Sequence, residues 1–434
     1  MKKILSKNMK RFAAALAAAG MLLSGCQGAA GDAAASTSSS SKAQSSLDES
    51  STSSVSNEES AVSTSSSEST KTSDSELVND ADAPEIEGLT YKGSMPLQYA
   101  EKFKVHYYND DYKLIEVVDD ASYLIVPEGA EAPEGLDEDI QVLYQPLENI
   151  YLAATSAMAL FDSIDGLQSI SFSGTKADGW YVDAAKEAME NGDIEYAGKY
   201  SEPDYEMLLD NNCDAAIEST MILHTPKVQE MLETLGIPVF IDRSSYETNP
   251  LGRTEWVKAY AAMLNKEDEA DKFFETKSSV MDEAENYEKT DLKVAFFYID
   301  STGTVVVRRD TDYIPKMIEI AGADYVYDDT LESTEGSVNV NISMEQFYNI
   351  AIDADYLIYN ASIDKQPSSI DDLLAKNELF ADFKAVKNGN VYTTGKSFYQ
   401  ATDRITDFIT DVHAMITGDD STLSFISKVP SGSN

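Results

Sequence analysis

The sequence predicts an α/β fold: two doubly wound α/β lobes joined by one long rigid helix, with an extra β-rich segment ahead of the first lobe. Three observations carry this expectation. Short apolar runs alternate with amphipathic helical stretches before residue 250 and again after residue 290, the pattern of parallel strands with right-handed crossovers. Between those runs, Trp256, Tyr260, Met263, Leu264, Phe273, Phe274 and Met281 recur every three to four residues across 252–288 without a proline, which is the period of a helix. Upstream, Phe103 to Pro127 alternates apolar and polar residues, as half-buried strands do.

The chain opens with Lys2, Lys3, Lys7, Lys10 and Arg11, followed by an apolar stretch from Phe12 to Leu23. This run is short and basic only on its leading side, so 1–25 reads as a signal peptide rather than a spanning helix. Leu23-Ser24-Gly25-Cys26 resembles the bacterial lipoprotein signal, which implies lipidation at Cys26 and attachment to the extracytoplasmic face of the cell membrane through that anchor only. Residues 27–82 are dominated by Ser, Thr, Ala, Asp and Glu and contain no aromatic residue. Such a stretch buries too little apolar surface to offset its ordering entropy. We therefore expect 26–84 to be a lipidated N-terminus and disordered tether with a reach of roughly 40 Å.

The first lobe is assigned to 85–250, with order from about Tyr91. Breaks at Asn109-Asp110-Asp111 and Asp119-Asp120 divide the alternating stretch into a β-meander. The α/β alternation then begins with a strand at Ile150–Ala153 and a helix from Ala157 to Phe161, with Thr155-Ser156 as its N-cap. A strand at Ser169–Phe172, a helix at Tyr181–Glu190 ended by Asn191-Gly192, a strand at Ala215–Ile217, a helix at Val228–Leu235 and a strand at Ile237–Ile241 follow. The inter-lobe helix occupies 251–290, with a bend at Asn265. The second lobe, 291–418, is expected to hold strands at Lys293–Ile299, Tyr356–Tyr359 and Asn390–Tyr392. Its helices are expected at Tyr313–Ala321, Met344–Ala351 and Asp403–Met415. Residues 419–434 read as a disordered tail.

Composition excludes several classes. With 33 Lys and Arg against 76 Asp and Glu, the net charge is −43, so a nucleic-acid partner lacks its basic footprint; such acidity also favours a soluble monomer. Only Cys26 and Cys213 are present, which rules out a disulfide framework; Cys213 reads as a small semi-buried residue. His106, His224 and His413 fall in three different segments, which argues against a shared zinc or manganese site. His224 alone is either a polar surface residue or an axial haem ligand. Thr394-Gly395-Lys396-Ser397 imitates a phosphate-binding loop, but position 390, where its first glycine belongs, is Asn390. No nucleophile elbow or His-Glu-x-x-His run occurs, so no enzymatic activity is expected.

Four local patterns point to a family. Glu148-Asn149-Ile150-Tyr151-Leu152, Pro203-Asp204-Tyr205-Glu206-Met207-Leu208, Leu235-Gly236-Ile237-Pro238-Val239 and Leu251-Gly252-Arg253-Thr254-Glu255-Trp256 occur in this order ahead of the helix. Over residues 148–416 the chain resembles the substrate-binding proteins of ABC importers for ferric siderophores, haem and cobalamin, whose lobes are joined by one rigid helix. The resemblance implies a small-molecule ligand of metal-chelate type, no intrinsic cofactor or metal site, and delivery to an ABC permease dimer with its ATPase. It also implies one permease-docking glutamate per lobe. Motif matching places these at Glu206 and, in Ile342-Ser343-Met344-Glu345-Gln346-Phe347, at Glu345. A surface sensing or adhesion lipoprotein on the same fold is the alternative.

Ligands of doubly wound sheets lie at the carboxyl ends of strands, in clefts walled by aromatic residues with a few orienting polar groups. The loops in those places carry Lys176, Trp180 and Tyr181, then Arg243 and Tyr246. In the second lobe they carry Arg308, Arg309 and Tyr313, then Lys396, Phe398 and Tyr399. Cations among aromatics suit an anionic chelate. Arg253, at the start of the long helix, either faces the cleft or pairs with Glu247 or Glu255.

Overall fold

The computed structural model describes residues 77–331 and 337–432; the signal peptide, Cys26 and nearly all of the expected tether lie outside the described residues. Order begins earlier than Tyr91. Val78 bridges Ser94 through two backbone hydrogen bonds, Lys104 pairs with Asp80 at 2.7 Å, and Ile86 is buried. Apolar Leu77-Val78, at the end of a polar stretch, is long enough to add to a sheet edge once Ser94 is presented to it.

The β-rich segment is a five-stranded sheet in the order Tyr91–Ser94, Phe103–Tyr108, Lys113–Val117, Ser122–Val126, Ile140–Tyr144. The first four strands run antiparallel, and the fifth returns parallel to the fourth. Both meander turns use aspartates in the left-handed region, Asp110, Asp111 and Asp119, a conformation that a short polar side chain tolerates. One face of this sheet, with Phe103, Val105, Ile115 and Tyr123, packs on the first lobe and its outgoing helix; the other, with Tyr108, Leu114 and Leu124, closes a small core of its own.

The first-lobe sheet is parallel throughout, in the order Val239–Asp242, Ala215–Ser219, Ile150–Leu152, Ile170–Ser173, Glu195–Tyr196. Its first strand in sequence lies inside the sheet. The chain winds outward on one side and returns to the other, so the switch point lies between the carboxyl ends of 150–152 and 215–219. The helix after the first strand is Met158–Ser163, and its N-cap is Ala157 rather than Thr155-Ser156. Ser156 donates instead to the buried Asp242 at 2.8 Å, a tertiary partner stronger than the local cap.

In the second lobe, Asp324–Tyr325, Lys293–Ile299, Tyr356–Tyr359 and Val391–Thr394 form the doubly wound parallel set. Its switch point lies between the ends of 293–299 and 356–359. Antiparallel strands Val305–Arg308, Asn339–Ile342 and Ile426–Lys428 extend it on both sides. The last of these corrects the expected tail. Residues 426–428 pair with 391–394, Val429 donates to Val391, and Pro430 accepts from Ile370. Three residues are too short to show a period, and only the neighbouring strand makes them β.

The connecting segment is helical as expected but is not one helix. It comprises Pro250–Glu255, Val257–Leu264 and Glu267–Ala284. At Trp256 the backbone tightens into an i to i+3 bond, with the Ala259 N–H donating to the Trp256 carbonyl at 3.0 Å. At Asn265 the chain enters the left-handed region (φ 56°, ψ 44°) and the helix ends. The apolar period runs through this break undisturbed, so periodicity could not reveal it. Leu251 belongs to the second-lobe core, Trp256 to Met263 to the first, and Phe274 and Met281 to the second again. The segment is therefore shared by both lobes.

Candidate functional site

The two switch points place particular side chains at the carboxyl ends of both sheets. In the first lobe, Thr220–His224 is a short 3-10 turn after strand 215–219. It buries Ile222 but leaves Met221 and Leu223 exposed (47% and 44%), and Tyr181 and Tyr246 are exposed on the neighbouring loops. In the second lobe Ile363, after strand 356–359, is 54% exposed. Exposed apolar side chains thus stand at strand ends of both lobes. The sequence reading missed Met221, Leu223 and Ile363. The signal was present, since each follows the carboxyl end of an apolar strand.

A polar cluster forms where the connecting segment meets the second lobe. Arg253, buried, lies over the Tyr313 ring at 4.0 Å. Glu247 and Glu255, the two carboxylates weighed as its partners, are taken by backbone amides instead. Arg308, also buried, donates to Asp312 at 2.6 Å and to Asn339 at 2.5 Å. The Nε atoms of Arg253 and Arg308 have no hydrogen-bond partner among the described residues. Tyr399 accepts from Asn360 Nδ2 at 2.9 Å. Burial pushes the Tyr313 phenol up to about 12, with Arg253 acting in the opposite direction. Burial also raises Tyr399, against the pull of Arg308 and Arg253, so both guanidinium charges reach one phenol. Burial works against the Arg308 charge, yet the Asp312 carboxylate together with the Tyr399 and Tyr313 phenols raises that pKa. A cavity of about 10 Å³ beside Arg253 and Tyr313, walled by Phe398, Thr402, Phe408 and Phe425, holds one water at most.

The structure thus brings Arg253, Arg308, Tyr313, Phe398 and Tyr399 together and distributes the other expected site residues elsewhere. Trp180 is a core residue, 2% exposed, with its indole N–H on Ser173 Oγ at 3.0 Å; the glycine-rich loop around it folds inward because a buried N–H needs an acceptor. Lys176 lies over Tyr196 at the sheet edge. Arg243 reaches the appended sheet, donating to the Asp119 carbonyl at 2.7 Å. Arg309 is half-buried and its backbone N–H bonds to Val338. Lys396 donates to the Asp364 carbonyl at 2.6 Å. Across the lobe junction, Gln400 accepts from the Tyr181 N–H and donates to the Gly179 carbonyl, both at 2.8 Å. Thr254 donates to the Thr402 carbonyl at 3.0 Å. Glu206 and Glu345 are exposed, each in the first turn of a helix, Tyr205–Asp210 and Met344–Ala351. Each helix precedes a parallel strand, so both glutamates lie on the carboxyl-end side of their sheets.

His106 is buried between Ser94 (2.7 Å) and Glu116 (2.5 Å), His413 stacks on Tyr287, and His224 is exposed. Among the described residues no group of His, Cys, Asp and Glu is placed to hold a metal ion, and no helix is long and apolar enough to cross a membrane.

Two doubly wound lobes sharing one helical connection, with exposed strand-end loops and a cationic cluster at their junction, define a two-lobed binding protein. The family model for periplasmic binding proteins matches residues 169–398, more than half of the chain, and the protein belongs to that family. It is 28% identical over 283 residues to an uncharacterized lipoprotein of Methanocaldococcus jannaschii, covering 62% of this chain and 64% of that protein, less than two thirds of its length. A second uncharacterized lipoprotein of the same organism is 24% identical over 382 residues, covering 83% of this chain and 94% of the relative. Among solved structures, a periplasmic haem-binding protein of Pseudomonas aeruginosa superposes with a TM-score of 0.53 at 16% identity, covering 66% of this chain and 99% of that one. A periplasmic binding protein of Veillonella parvula gives 0.52 at 12% identity, covering 76% and 98%. These likenesses establish the fold.

Proposed function

We propose that the protein is a lipid-anchored, extracytoplasmic solute-binding protein that captures an anionic metal chelate of the ferric-siderophore, haem or cobalamin type and hands it to an ABC permease. One observation carries the ligand class: two buried guanidinium groups, Arg253 and Arg308, each with an Nε–H lacking a partner among the described residues, converge with Tyr313 and Tyr399 at the lobe junction. Two planar cations held at the lobe junction favour an anionic ligand there. Met221, Leu223, Tyr181 and Ile363 would cover the apolar body of the chelate, since the cavity itself has no room for it. Glu206 and Glu345, one on each lobe, would meet permease arginines and fix orientation as well as affinity. Anchoring at Cys26 agrees with the lipoprotein names of the two relatives.

The test is native mass spectrometry of the full chain purified from its own host. The expected result is a retained anionic chelate, released on denaturation. Retention of an uncharged or cationic solute, with no chelate bound in titration at micromolar concentration, would remove the ligand class.

A further inference from the structure

The connecting segment is interrupted at Trp256 and at Asn265, and the appended five-stranded sheet holds both interruptions from outside. At the first, the buried Glu255 carboxylate accepts the backbone N–H groups of Gln98 (2.9 Å), Tyr99 (2.8 Å) and Ala100 (2.8 Å). Glu247, also buried, accepts those of Glu101 and Lys102, both at 2.9 Å, and the Trp256 indole N–H at 3.0 Å. Five consecutive amides of one loop therefore end on two carboxylates on the N-terminal side of Trp256. Lys258 closes the group, 3.3 Å from Glu255 and 3.2 Å from the Pro96 carbonyl. Gly252 lets the loop come this close, because a Cβ there would lie 3.0 Å from the Tyr99 carbonyl oxygen.

At the second interruption, the carbonyls that end helix Val257–Leu264 lack a continuing helix to receive them. The appended sheet supplies the donors. Lys113 donates to the Ala262 carbonyl at 3.1 Å and to Asn265 Oδ1 at 2.7 Å, and it pairs with Glu267 in the next helix. Gln145 donates to the Met263 carbonyl at 2.7 Å. The same sheet also touches the far side of the hinge, where Tyr99 meets Phe274 edge-on at 6.2 Å within the second-lobe core.

We propose that the appended sheet is a strut that fixes the angle between the lobes. A helix that tightens at Trp256 and ends at Asn265 is a poor rigid rod, and the left-handed Asn265 in particular is a place where the backbone can absorb rotation. Capping each break from a third body packed on the first lobe couples any change of lobe angle to the loss of charge-assisted hydrogen bonds. Rigidity that one continuous helix would provide is here supplied by residues 95–145.

The full chain carrying Cys26→Ser, Glu187→Cys and Asn349→Cys places one spin label on an exposed helix face of each lobe, Cys213 being buried. Double electron–electron resonance then reads the inter-lobe distance with no ligand added, so failure of the chelate reading leaves the result untouched. Lys113→Ala with Gln145→Leu, and separately Glu255→Gln, are expected to broaden the distance distribution at least twofold while circular dichroism keeps the parent helix content. The Lys113/Gln145 variant carries the test alone should Glu255→Gln not fold. A parent-width distribution in the Lys113/Gln145 variant, or in Glu255→Gln with hydrogen exchange showing the amides of 98–100 released, would overturn the proposal.

Discussion

Asn265 gives the sharpest test of the broken helix. Its backbone is left-handed, its Oδ1 accepts from Lys113 (2.7 Å) and Gln145 (3.1 Å), and its Nδ2 donates to Gln145 at 3.1 Å. Both Asn265→Ala and Asn265→Gly remove these side-chain bonds, a shared loss of about 1–2 kcal/mol. They differ in the backbone. Alanine in the left-handed region carries a strain of about 1–2 kcal/mol, which glycine avoids, while glycine loses about 0.5–1 kcal/mol more in unfolded-chain entropy. The alanine variant should therefore be the less stable of the two by about 1 kcal/mol. Were the helix continuous through this position, the order would reverse, because glycine in a helix interior costs about 1 kcal/mol relative to alanine. Urea denaturation followed by the fluorescence of Trp180 and Trp256, both buried, reads the difference in midpoint at constant slope. An alanine variant as stable as the glycine variant, or more so, would refute the left-handed break.

Glu206→Ala combined with Glu345→Ala should abolish uptake in cells while leaving chelate affinity in calorimetry unchanged; unaltered uptake would cancel the docking assignment. Arg253→Met should weaken binding of an anionic chelate about 10- to 100-fold, the loss expected for a charged hydrogen bond of about 1.5–3 kcal/mol, and Arg253→Lys should recover little because the planar stack on Tyr313 is lost. Glu218 is fully buried on strand 215–219 and neither of its oxygens has a partner among the described residues; burial raises its pKa well above 4.5. An acid whose pKa is higher folded than unfolded contributes stability below the unfolded value. That contribution is lost as pH rises through the folded value, at about 1.4 kcal/mol for each pH unit between the two. Urea midpoints measured from pH 4 upward should thus fall more steeply for the parent than for Glu218→Gln, and parallel profiles would show that Glu218 does not titrate in the folded state.

Much of the lobe architecture was legible because it is local. Lys293–Ile299 and Met344–Ala351 fall where the apolar period places them. The meander turns were legible for the same reason, since paired aspartates announce them before any tertiary contact forms. Glu206 and Glu345 stand in the first turns of helices that Asp204 and Ser343 cap.

What was not legible depends on residues far apart in the chain. Arg253 had two readings because sequence alone cannot tell that Glu255 is already occupied by the amides of residues 98–100, some 155 positions away. Trp180 looked like a cleft residue because its loop follows the carboxyl end of a strand, but Ser173 supplies an acceptor inside the core and the indole turns inward. The long helix is the instructive case. An apolar stripe reports which face is buried and is indifferent to the turn between two stripes. A single left-handed asparagine therefore ends a helix without disturbing the pattern, and what then keeps the two pieces aligned is Lys113 and Gln145, held on a sheet that the pattern assigns to an unrelated segment.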